Sequence, residues 1–186
     1  MKKLFKYQLF IMATIVLVGC SNDDDNTPTI VNEEEVITTL IAVFTPSAGG
    51  GAVTFQSQDL DGDGPNAPVV TASGDLAANA TYNVAVRMLN ETVNPPENIT
   101  QEVEAEADEH QVFFLPGTGL NMTLVYSNFD SEGNPLGTQM EATTGDAGSG
   151  NLLVVLRHEP KKPNDGTLAD AGGETDISVS FPVTIQ

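Results

Sequence analysis

Ile177-Ser178-Val179-Ser180-Phe181-Pro182-Val183-Thr184-Ile185-Gln186 alternates apolar and polar residues without a break. A period of two is the signature of a β-strand with one face buried, because successive side chains leave opposite faces of the pleat. Pro182 cannot donate to a ladder, so this strand is expected at a sheet edge or at a bend. Upstream, the same alternation recurs in shorter windows over residues 35–45, 52–58, 69–73, 81–89, 111–115, 122–128, 137–144 and 152–158, mostly separated by Gly, Pro, Asn and Asp. The segment Asp130-Ser131-Glu132-Gly133-Asn134-Pro135 reads as a hairpin-like turn with positive φ expected at Gly133 and Asn134. One helix is expected over Asn98–Ala107, where good helix formers follow capping candidates and acids fall in the first turn.

Eight or nine short strands and one short helix in about 150 residues predict an all-β domain over residues 34–186. Its expected architecture is an antiparallel β-sandwich with an immunoglobulin-like topology. Leu76-Ala77-Ala78-Asn79-Ala80-Thr81-Tyr82 resembles the stretch that opens a strand in fibronectin type III domains. That resemblance implies a tyrosine corner at Tyr82. The chain has no tryptophan and a single cysteine, so the tryptophan and disulfide of a true immunoglobulin core are absent.

The N-terminus carries Lys2, Lys3 and Lys6 ahead of an apolar run from Leu9 to Val18. The run is too short for a membrane span of about 20 residues and fits the apolar region of an export signal. It ends in Leu17-Val18-Gly19-Cys20, which resembles the lipobox of bacterial lipoproteins and implies cleavage before Cys20 and lipidation of its thiol. Residues 20–33 then read as the lipidated cysteine and an acidic tether containing Asp23, Asp24 and Asp25. An acidic run directly behind the cysteine resembles the signals that send lipoproteins of Bacteroidota to the outer cell surface, against the alternative of a solvated linker. Together these features resemble small Bacteroidota lipoproteins sometimes labelled type 1 periplasmic binding fold superfamily proteins. The alternating helices and parallel strands implied by that label do not match this strand-rich pattern.

Removal of residues 1–19 leaves Arg87, Arg157, Lys161 and Lys162 against 26 acids. Such a field repels nucleic acid and favours cations or basic ligands. The expected site is Asp59-Leu60-Asp61-Gly62-Asp63-Gly64, where alternating carboxylates and a turn glycine match the first half of many calcium loops. Val70 occupies the twelfth position, where an EF-hand has glutamate, so the expectation is a Ca²⁺ site in an inter-strand loop, with Asn66, carbonyls near Pro65 or water completing it. An ordinary Asp/Gly turn is the alternative reading. A second metal set comprises His110 and His158 with Glu106 from the acidic patch Glu102–Glu109, against the alternative of two unrelated surface or hydrogen-bonded histidines. On the last long strand Leu152, Val154 and Leu156 share a parity with His158, and Arg157 reads as a structural ion-pair partner.

The mature chain has no nucleophile elbow, zinc-protease motif or phosphate loop. The expected function is therefore a non-enzymatic binding or accessory module on the outer membrane, anchored through its lipid and displayed to a surface ligand. The alternative is capture of a metal or ligand for an outer-membrane transporter. A hydrolase is the third reading.

Overall fold

The computed structural model describes residues 35–62 and 64–186, which belong to one compact unit, Glu33–Gln186. The expected signal, Cys20 and the tether lie outside the described residues, as does Asp63. Nine strands and two helices follow in the order β1 (Thr39–Pro46), β2 (Val53–Gln58), β3 (Val69–Ala72), β4 (Thr81–Leu89), α1 (Ile99–Ala105), β5 (His110–Pro116), β6 (Met122–Tyr126), β7 (Gln139–Thr144), β8 (Gly148–His158), α2 (Leu168–Ala171) and β9 (Glu174–Ile185).

All strand pairings are antiparallel, and they form a six-stranded sheet of order β3-β2-β1-β4-β7-β6 and a three-stranded sheet of order β5-β8-β9. Apart from the β2–β3 hairpin, the order 1-4-7-6 against 5-8-9 is the ABED and CFG arrangement of immunoglobulin constant-type sandwiches. The hairpin extends the larger sheet beyond its first strand. β9 is an edge strand, as Pro182 requires, and a short parallel lane at Leu76 runs beside its end.

Period-two patterning explains the core. Leu40, Ala42 and Phe44 of β1 and Tyr82, Val84, Val86 and Met88 of β4 are buried with Leu152, Val154 and Leu156 of β8 and Val179, Phe181, Val183 and Ile185 of β9. Phe55 of β2 meets Phe181 of the other sheet at a centroid distance of 6.0 Å and Phe44 at 5.5 Å. Well-oriented aromatic pairs add about 0.5–1.5 kcal/mol beyond the area they bury.

The tyrosine corner forms, since the Tyr82 hydroxyl oxygen accepts a 2.7 Å hydrogen bond from the Ala77 N–H. It opens β4, the second strand of the ABED sheet, whereas immunoglobulin domains carry theirs at strand F. The likeness to fibronectin is thus a local turn solution rather than a match in register.

Three local expectations change. Asn134 does not take positive φ; only Gly133 of that turn does, because the Asp130 carboxylate accepts from the Glu132 and Asn134 N–H groups and closes the turn itself. Asn98 sits at the N-cap of α1 without a side-chain bond, while Thr100 Oγ1 accepts from the Met88 N–H and ties the helix to β4. The short helix α2, capped by Thr167, is additional. Its Ala171 packs on Phe113 and Val155, forming a second apolar group on the outer face of the three-stranded sheet.

Tyr82→Phe should lower stability by about 1–3 kcal/mol by leaving the Ala77 N–H without its acceptor, with the fold retained. Urea unfolding of both proteins measures it, and equal midpoints would make the corner energetically idle.

Candidate metal centre

His110 begins β5, His158 ends β8, and the two are direct cross-strand partners. His110 continues the inward parity of Val112 and Phe114, and His158 that of Leu152, Val154 and Leu156. The alternation that builds the core therefore carries both imidazoles into its end, their centroids 4.6 Å apart. His110 Nδ1 lies 3.2 Å from the Glu106 carbonyl oxygen. A carbonyl can only accept, so this bond places a proton on Nδ1 and, in the neutral ring, leaves the Nε2 lone pair for the cluster.

Two carboxylates complete the group. Glu35, in the segment leading into β1, brings Oε1 to 2.7 Å from His110 Nε2 and Oε2 to 3.5 Å from His158 Nδ1. Asp176 arrives through a β-bulge: Leu156 faces Ile177 but Arg157 faces Thr175, so Asp176 is the extra residue in β9. A bulge bends its strand and re-aims a side chain. Asp176 Oδ1 thereby comes to 3.8 Å from His158 Nδ1. Gly173, at φ +71°, permits the return of β9, since a Cβ there would fall 2.3 Å from the His158 carbonyl oxygen.

Glu35, His110, His158 and Asp176 each offer one ligand atom, all within 4.8 Å of one another. Their side chains are only 0 to 6 % exposed. His110 Nε2, Glu35 Oε2 and both ring nitrogens of His158 are buried without a hydrogen bond. The approach of His110 to Glu35 is therefore close but off the line of a hydrogen bond, as two donor atoms facing a common point would be. A second group, Glu109, His158 and Glu159, shares His158 but has exposed acids.

The surrounding frame is itself ionic. Lys162 Nζ, on the loop after β8, donates 2.6 Å to the Ala107 carbonyl and 3.2 Å to Asp130 Oδ2, with both charged side chains nearly inaccessible. This ties the chain beyond His158 to the turn before His110. Burial raises the Glu102 carboxyl above its usual range, as do the neighbouring charges of Glu97, Glu106 and Glu35, against a smaller opposing influence of His110.

The structure brings His110 and His158 together but not with the Glu106 side chain, which is exposed; Glu106 contributes its main-chain carbonyl instead. Residues 102–106 wind toward the end of α1, which sends that carboxylate outward. Glu35 and Asp176 were not legible as partners, one lying before the first strand and the other on the polar parity of its own. Arg157 donates to the Gly173 carbonyl. In the expected calcium loop, Asp59, Asp61 and Asn66 line one surface hollow of about 260 Å³. Asp61 Oδ2 accepts a 2.6 Å bond from the Asn66 side chain, and Asp59 Oδ1 is buried without a hydrogen bond.

Burial acts to raise the Asp130 carboxyl, but hydrogen bonds from Asn134 and Lys162 and the Lys162 charge outweigh it and hold the pKa below its ordinary value. A depressed folded-state pKa contributes stability that is complete above the unfolded value and is lost as pH falls through the folded one. Asp130→Asn should therefore destabilise the domain near neutrality and flatten its acid unfolding below about pH 4. Urea midpoints followed from neutral to acid pH test this, and parallel curves for the two proteins would refute it.

Compared with known protein families, with curated proteins and with solved structures, the chain gives no match, so its function has to be read from its own residues.

Proposed function

We propose that this chain is a lipid-anchored outer-membrane protein whose sandwich is a non-enzymatic binding or accessory module displayed at the cell surface. The observation that carries this reading is Leu17-Val18-Gly19-Cys20, behind a basic and apolar leader and ahead of a polar tether. A tether from Ser21 to Asn32 has a root-mean-square span of roughly 20 Å, enough to hold a domain clear of headgroups. Among the described residues no helix is long and apolar enough to cross a membrane.

The buried cluster supports a binding rather than a catalytic module. Catalysis needs donors that a substrate can reach, with an open position on any metal. Here the four side chains are closed off at 0 to 6 % exposure. The same closure disfavours delivery of a metal to a transporter, since cargo has to leave. The Asp59–Asn66 loop, where Asp61 and Asn66 are exposed, is where Ca²⁺ would act on this module, weakly, in the range of about 10⁻⁴ to 10⁻³ M.

Changing Cys20 to Ala should release the protein from membranes, and protease added to intact cells should remove the domain from the unaltered protein. An unacylated mature terminus by mass spectrometry would overturn the anchor, and protection until the outer membrane is broken would overturn surface display. Millimolar Ca²⁺ should raise the melting temperature of the unaltered protein but not of Asp61→Asn; an equal rise in both would mean diffuse binding to the acidic surface.

A further inference from the structure

The geometry points to a resident divalent transition-metal ion of the zinc class, held by Glu35, His110, His158 and Asp176 as a closed structural clasp between the sheets. Nothing in this inference depends on the anchor or on surface display.

Donor chemistry selects the ion. Two imidazole nitrogens and two carboxylate oxygens form a four-donor N₂O₂ set suited to Zn²⁺, whereas Ca²⁺ takes six to eight oxygens and does not use imidazole. The Glu106 carbonyl at 3.2 Å from His110 Nδ1 is the outer partner that metal-binding histidines characteristically have, fixing the ring so that Nε2 faces the ion. His158 supplies the independent sign of a ligand: it is 4 % exposed, and neither ring nitrogen has a hydrogen bond. A buried histidine whose ring nitrogens make no hydrogen bond carries a desolvation cost that coordination would relieve. Low exposure of all four side chains leaves no open position for substrate, which distinguishes a structural from a catalytic site.

Placement defines the role. Asp176, His110 and His158 come from all three strands of the smaller sheet, while Glu35 leads into β1 of the larger one. One ion would therefore join the smaller sheet to the segment that leads into the larger one, doing for this chain what an inter-sheet disulfide does in antibody domains.

The full chain, extracted in detergent and purified without chelators or a metal-affinity tag, should contain about one zinc-class ion by plasma mass spectrometry. After removal of metal with a chelator, Zn²⁺ should rebind stoichiometrically and raise the melting temperature. X-ray absorption should show imidazole nitrogen and carboxylate oxygen around it, a readout that requires no variant to fold. Glu35→Gln and His158→Gln should each weaken Zn²⁺ binding by at least the about tenfold that loss of an outer-shell partner alone costs. Glu109→Gln, which alters only the exposed second group, should leave affinity unchanged. The clasp is overturned if metal-free protein takes up no stoichiometric Zn²⁺, if the bound ion has no imidazole neighbour, or if both weakening variants bind as tightly as the unaltered chain. Equal weakening by Glu109→Gln would also overturn it, moving the ion to Glu109, His158 and Glu159.

Discussion

The two sheets share one apolar core, and the contact of Phe181 with Phe55 carries its aromatic part from one sheet to the other. Phe181 comes from the edge strand of the three-stranded sheet, and Phe55 belongs to the hairpin appended to the larger one. From Phe55 the aromatic packing continues to Phe44 and from there to Tyr82. The hairpin is thus part of the core, because it supplies the ring on which β9 closes. With one cysteine and no tryptophan in the chain, the centre is held by apolar area and ring contacts. Tyr82 adds a polar constraint at the same place, its ring on Phe44 and its hydroxyl on the Ala77 N–H.

From that apolar centre toward the β5 start and β8 end, the core changes character without changing geometry. Parity obliges the residue two beyond Leu156 to point inward, and that residue is His158. A leucine there would have continued the core at little cost. An imidazole instead loses hydration and needs partners, which makes its position informative in a way that a buried aliphatic residue is not. The close packing of Gly173 on the His158 carbonyl and the hold of Lys162 on Ala107 and Asp130 fix the surrounding backbone. At the polar end the backbone is thus held by directional contacts.

Strand identity was most legible where inward and outward positions differ in chemistry, as along β4, β7 and β9. The sheet to which each strand belongs was less so, since alternation reports a face and not a neighbour. The unbroken apolar run Leu152-Leu153-Val154-Val155-Leu156 did carry one further signal: a strand apolar on both parities is buried on both faces. Its second cover is the loop with α2, a segment in which no apolar alternation announces a packed element. Parity also placed His158 with the core residues, but the register that sets it opposite His110 depends on long-range pairing. Glu106 was a reasonable partner by proximity in sequence, and the helix end turns its side chain away. Asp176 could not be found by alternation at all, because the bulge at that residue is where alternation fails.

That failure explains why the polar cluster and the edge strand can coexist in β9. Without the extra residue, a strand that buries Val179, Phe181, Val183 and Ile185 would carry Asp176 on its outer parity, away from the histidines. Shifting the whole strand by one residue would bring the carboxylate inward, but it would expel every apolar side chain of the C-terminal run. A bulge confined to one step satisfies both requirements, keeping the hydrophobic register from Ile177 onward while changing the direction of a single side chain. The glycines at 172 and 173, both at positive φ, lie just ahead of it, where the chain re-enters the sheet against the His158 carbonyl. Chain direction, bulge and close backbone approach thus converge on Asp176, so the geometry of the cluster is built into the strand connection.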